Sequence, residues 1–152
     1  MNEQREAVKV LADLVKESED GQKGFSEASE LATDPQVKSV FHEFAGECAQ
    51  AVGELQEAIR SLGGDPPDRG SVAGAAHRGW VRAKATVENR DEAMLEEVER
   101  GEDHAKAAYA KALKEAALPQ PIRELVQRQH QGVLRHHQQV KQMRDSWRAT
   151  HR

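Results

Sequence analysis

Between Pro35 and Leu62 the apolar residues Val37, Phe41, Phe44, Cys48, Ala51, Leu55, Ala58 and Leu62 recur at spacings that alternate strictly between four and three. Only an α-helix puts such a series on one face, and a stripe this narrow must be covered by other helices. A helix of this length runs about 40 Å. The chain is therefore expected to be all-α, with partners long enough to cover that stripe from end to end.

Those partners can be read on either side. Ala7, Leu11, Leu14, Val15, Phe25 and Ala32 keep a helical period, which predicts a first helix over 3–33, softened at Gly21 and Gly24. Thr33-Asp34-Pro35 is a stop and restart, with Asp34 as N-cap and Pro35 at the first helical position of the 35–62 helix. GGDPPDRG at 63–70 is a turn-forming loop. Fully extended it covers at most about 27 Å, too little to return the chain along a 40 Å helix.

A crossover helix over 71–88 is expected to make the return, capped by Ser71 and packed through Ala73, Ala76, Trp80, Ala83 and Val87. After a break at Asn89-Arg90-Asp91, with Asp91 as cap, a helix over 91–116 packs through Leu95, Val98, Ala105, Tyr109 and Ala112. Leu118-Pro119-Gln120-Pro121 ends it, and the last helix, 121–147, carries Ile122, Val126, Val133, Val140, Met143 and Trp147 on one side. Two antiparallel hairpins joined by a crossover, within one domain spanning 1–152, have the connectivity of a ferritin-like four-helix bundle.

Composition narrows the function. There are 22 Lys and Arg against 26 Asp and Glu, a net charge of -4 with both signs scattered, and so no basic face for nucleic acid. No stretch approaches the apolar length of a membrane span and the start has no apolar leader core, so a cytoplasmic location without a membrane partner is expected. Cys48, the single cysteine, lies in the apolar stripe and reads as a small buried hydrophobe. The lone serines have no base and orienting acid at useful spacing, and there is no phosphate loop, so the chain is not expected to be an enzyme of those classes.

The segments DGQKGF (20–25), ELQEAIRSLGGDP (54–66), GSVAGAAHRGW (70–80), EEVERGEDHA (96–105) and LPQPIRELVQRQHQGV (118–133) resemble a bacterial ferritin-like four-helix-bundle family classed as a domain of unknown function. The resemblance covers nearly the whole chain and implies the fold. It implies no activity.

Ferritin-like di-metal centres use a Glu from each of two helices and a Glu-x-x-His from each of the others. Here no acid is followed by His three positions on: Glu47 leads to Gln50, Glu99 to Glu102, and Glu124 to Gln127. The standard motif is absent. Counting residues outward from the turns nevertheless brings one layer together, holding Glu17 or Asp20, Glu47, Glu99, Glu102 and the His136-His137 pair. Within it Glu102 falls on the core row Leu95, Val98, Ala105, Tyr109, whereas His104 lies about 200° away and faces water.

A carboxylate in a core row must find a partner or become neutral. One expectation is a buried hydrogen bond or ion pair, with His136, His137 or a neighbouring arginine. The other is an iron or manganese site built from Glu47, Glu99, Glu102 and His137 with Asp20. HRGW at 77–80 reads as packing by Trp80 with a local hydrogen bond from His77. The expected role is that of a structural, stress-associated or interaction protein with a degenerate metal site. The rival is a divergent iron- or manganese-binding protein that handles oxygen species. In either case the protein is expected to form a homo-oligomer such as a dimer, through Trp147 and the crossover stripe.

Overall fold

At Thr33-Asp34-Pro35 the chain turns as its residue types require. A computed structural model describes residues 2–67, 90–115 and 117–150, and in it helix α1 (Asn2–Leu31) ends just before this turn and α2 (Pro35–Ser61) begins within it. Asp34 has extended backbone, φ -76° and ψ 123°, and its Oδ1 accepts from the amides of Gln36 at 2.8 Å and Val37 at 3.2 Å. Pro35 fills the first helical position, where no amide hydrogen is needed. Lys38 Nζ reaches back to the carbonyls of Ser29 (2.6 Å) and Glu30 (3.1 Å), a cation at the C-terminal end of α1.

The far end of α2 closes in a Schellman turn. The amide of Gly64 donates to the Ile59 carbonyl at 3.0 Å and that of Gly63 to Arg60 at 2.9 Å, with Gly63 at φ +82°. A side chain at Gly64 would also meet Val8 Cγ1 at 2.8 Å, so this glycine lets the loop lie against α1. The expected crossover helix at 71–88, with His77 and Trp80, lies outside the described residues. The two remaining helices are α3 (Arg90–Glu115) and α4 (Gln120–Thr150).

Cross-helix bonds fix the directions. Thr33 bonds to Asp91 and Glu17 to His104, so numbering rises on α1 as it falls on α3, and the two are antiparallel. Glu47 with His136 and Ala51 with Gln129 give the same result for α2 and α4. Since α1 and α2 are themselves joined by a tight turn, α2 and α3 run parallel. That arrangement needs the long connection whose necessity the 40 Å helix implied. The fold is an all-α, ferritin-like four-helix bundle without strands among the described residues.

The interior is divided. At one end Leu11, Leu14, Val15, Leu55, Ile59, Tyr109 and Val126 form an aliphatic cluster, and at the other Phe25, Phe41, Phe44, Met94, Leu95 and Val140 form a second, aromatic one. Fully burying a Leu or Phe side chain contributes about 1.5–3 kcal/mol, so each cluster is a substantial core. Trp147, expected to meet a second copy, is half-buried and packs against the aromatic cluster of its own chain. Between the two clusters lies a layer of polar residues, and the candidate site is built there.

Candidate functional site

Small residues open the layer. Where a bundle core would place Leu, this chain has Gly21, Ala51, Ala105 and Gly132, and the missing volume leaves a cavity of about 240 Å³. Gly21 lets α1 and α2 lie close together here: a Cβ on it would meet Cys48 Sγ at 3.3 Å. The cavity opens to solvent, with the exposed Gln50, Arg128 and Arg135 among its lining residues.

Glu102 lines the cavity from α3 and is only 5% exposed. Its Oε2 is buried and has no hydrogen-bond partner among the described residues. Burial penalises the charged form, and the negative charges of Glu17 and Asp103 add to that, so its carboxyl is pushed up to about 8. Glu102 is therefore mostly protonated at neutral pH. The expectation that the core-row acid would pair or become neutral resolves toward neutrality, since none of the proposed partners reaches it.

The histidines are taken by other acids. His136, 6% exposed, bonds through Nε2 to Glu47 Oε2 at 2.8 Å and stacks on Phe44 with ring centroids 4.1 Å apart, while Phe25 meets it edge-on at 5.9 Å. Desolvation lowers its pKa, and the Glu47 hydrogen bond only partly opposes this. The neutral imidazole thus donates from Nε2 and leaves Nδ1 as a bare lone pair, buried without a donor among the described residues. His137 sits 100° further round α4 and places its Nε2 2.6 Å from Asp103 Oδ1.

On the other wall, Tyr109 donates its phenolic hydrogen to Gln129 Oε1 at 2.9 Å. Having one hydrogen, it must accept from Ser18 Oγ, 3.1 Å away. Gln129 Nε2 passes the chain on to Glu54 Oε1 at 3.1 Å and to the Ala51 carbonyl at 3.3 Å. Burial pushes the Tyr109 phenol above its ordinary range, so it remains a donor. Cys48 is likewise held as a thiol by burial, reinforced by Glu102 and Glu47. It is a packing residue, as its position in the stripe implies, although partly rather than fully buried.

Of the five residues expected to form a metal site, Glu47 and Glu102 line the cavity, whereas Asp20, Glu99 and His137 do not. Glu99 is bound by the guanidinium of Arg144 from α4. Asp20 is half-buried on α1, where its charge acts on His104. Among the described residues, no group of three or more His, Cys, Asp or Glu side chains is arranged to hold a metal ion. Glu99 is thus committed to Arg144, and Asp20 and His137 lie away from the cavity that Glu47 and Glu102 share.

Glu97 and Asp91 on α3 are buried as well, although neither is among the core positions expected from the sequence. Glu97 is fully buried, 2.9 Å from Arg100 one turn away. Its apolar neighbours Met94 and Val98 on the same helix are the signal that could have marked its face. Asp91, expected to cap its own helix, is 4% exposed and instead holds the α1–α2 turn. Its Oδ1 accepts from the Thr33 amide and hydroxyl, both at 2.9 Å, and its Oδ2 from the Asp34 amide at 2.8 Å. Asp91 lies within the described helix, which is helical from Arg90 on.

Among the described residues no helix is long and apolar enough to cross a membrane. No curated protein matches the chain in sequence. In fold it is similar to a mutant of Dps1 from Mycobacterium smegmatis, with a TM-score of 0.75 at 12% identity over 94% of this chain and 97% of that one. Residues 6–115 match the family described as a domain of unknown function (DUF2383), and the chain belongs to that family.

Proposed function

We propose that this protein is a ferritin-like bundle whose middle layer has exchanged the di-metal centre for hydrogen-bonded pairs and one protonated carboxyl, and that it serves a structural, stress-associated or interaction role. The observation that carries this reading is the placement of Arg144 on Glu99. A guanidinium holds permanently the positive charge that a metal would bring to that carboxylate, and it is never deprotonated. Glu47 is engaged by the neutral His136, and Asp103 lies 2.6 Å from His137, so these carboxylates too are taken up by side chains of the bundle.

The second reading, a divergent iron or manganese site, draws on a different observation: Glu102 and Glu47 face one cavity together with His136. Elemental analysis of protein purified from iron- and manganese-replete cultures separates the two. The first predicts far less than one metal per chain, unchanged in Glu102→Gln. Stoichiometric metal that is lost in Glu102→Gln would overturn it in favour of the second. Self-association, expected from the sequence, belongs to the first reading, and light scattering at several concentrations tests it.

A further inference from the structure

The cavity and its buried acid raise a question that the absence of a di-metal donor set leaves open: what such a space takes in. Its lining carries the carboxyl groups of Glu17, Glu47, Glu54 and Glu102 against two arginines at exposed positions, Arg128 and Arg135. An anion would face a surplus of carboxyl groups. A purely apolar guest would leave Glu102 Oε2 buried without a donor, which costs on the order of 1–3 kcal/mol. A metal ion needs at least three converging side chains, and no such group exists among the described residues.

An ammonium group asks for less. It needs two or three acceptors at about 2.8 Å and tolerates an apolar surround for the carbon chain behind it. Glu102 Oε2 supplies one acceptor. Ser18 Oγ supplies another, because its hydrogen is directed to Tyr109 and its lone pairs are left over. The Tyr109 ring, Ala51, Ala105 and Val133 provide the carbon surface, and an aromatic face adds attraction for a cation. At about 30 Å³ per water molecule, 240 Å³ accommodates on the order of six to eight heavy atoms, the size of a short alkylamine.

We propose that the cavity between the two apolar clusters is a binding site for a small organic cation, a primary ammonium on a short carbon chain, with Glu102 as its counter-ion. Binding then carries a proton signature. The groups that face Glu102 are Glu17 from α1, Glu47 and Cys48 from α2, Asp103 and Tyr109 from its own helix, and Arg135 and His136 from α4. Burial, with the charges of Glu17 and Asp103 adding to it, keeps it protonated at pH 7, so an arriving ammonium must displace that proton to bulk solvent.

Isothermal titration of the full chain with n-butylammonium and with 1,4-diaminobutane tests the proposal, repeated in buffers of different ionisation enthalpy. It predicts one site per chain, release of close to one proton at pH 7, and affinity rising about tenfold per pH unit from pH 5 toward 8. Glu102→Gln abolishes binding. Ala105→Leu, which keeps the carboxyl but fills the space, abolishes it too, and keeps the test decisive should the first variant fold poorly. The uncharged n-butanol does not bind. Three results would overturn the proposal: no amine binding at millimolar concentration, amine binding that survives Ala105→Leu, or displacement of the amine by one equivalent of Mn²⁺ or Zn²⁺.

Discussion

Asp91 and Glu102 are both acids on α3, both almost wholly buried, and their surroundings treat them in opposite ways. Asp91 receives three hydrogen bonds from the turn between α1 and α2, two from backbone amides that would otherwise be orphaned there. Glu102 receives none at Oε2 and has other acids nearby. Burial alone therefore does not decide what an acid does. Donors supplied by a tight turn make Asp91 a clamp between the two helical hairpins, whereas Glu102, set among small residues and other carboxyls, keeps its proton and is left available to a guest.

The largest test of this contrast is the pH dependence of stability. Glu102 is raised from 4.5 unfolded to about 8 folded, so between those values the folded state holds a proton that the unfolded state has lost. The contribution of Glu102 to folding stability consequently falls as pH rises from 4.5 to 8 and is level outside that window, by up to about 4–5 kcal/mol in total. His136, lowered on folding, acts in the opposite sense: its contribution is lost as pH falls below about 6.5. Comparison with Glu102→Gln isolates the first effect. Urea denaturation across pH 4 to 9 should show the variant gaining on the parent steadily up to pH 8, whatever the fixed cost of the amide. A constant difference would mean that Glu102 is ionised or paired.

Asp91→Ala should come next, at about 3 kcal/mol destabilising, because it leaves two amides at the α1–α2 turn without their acceptor. The loss should be largely local. Amide exchange at Thr33 and Asp34 should accelerate, while the layer around Glu102 stays protected. If the layer loosened equally, the two acids would belong to one cooperative unit and the contrast between them would fail.

How far the sequence reveals these two sites depends on how local their causes are. The stripe of α2, the Asp34-Pro35 restart and the pairing of residues across each turn follow from spacing, because a helix translates spacing into angle and height. The layer itself was therefore legible, and so was the inward position of Glu102. Side-chain reach was not. Glu99 was expected opposite residues 136–139, yet its partner is Arg144, whose long stem spans more than a further helical turn. Adjacent histidines differ by 100°, so His136 goes to the α2 seam and His137 to α3, a division that small errors in helix rotation conceal. Asp91 occupies a position at which a cap is the ordinary reading, and only the tertiary approach of Thr33 and Asp34 redirects it.

The smallest expected effect lies at the rim of the same layer and shows what exposure removes from a charged pair. His104 Nδ1 is 2.9 Å from both oxygens of Glu17, close to the Glu47–His136 distance, but its side chain is 75% exposed. The Glu17 hydrogen bond raises its pKa above 6.5, with the charge of Glu17 adding to it. The sign is then opposite to that of His136: the stabilisation is complete below pH 6.5 and disappears as pH rises through the folded value. Solvent screening limits it to a few tenths of a kcal/mol. His104→Ala should therefore cost a barely measurable amount at pH 5.5 in low salt, and nothing at pH 8.5 or in molar salt. A larger cost, or one that persists in salt, would show that Glu17 depends on this histidine to stay at the cavity wall, and the rim would then be part of the site.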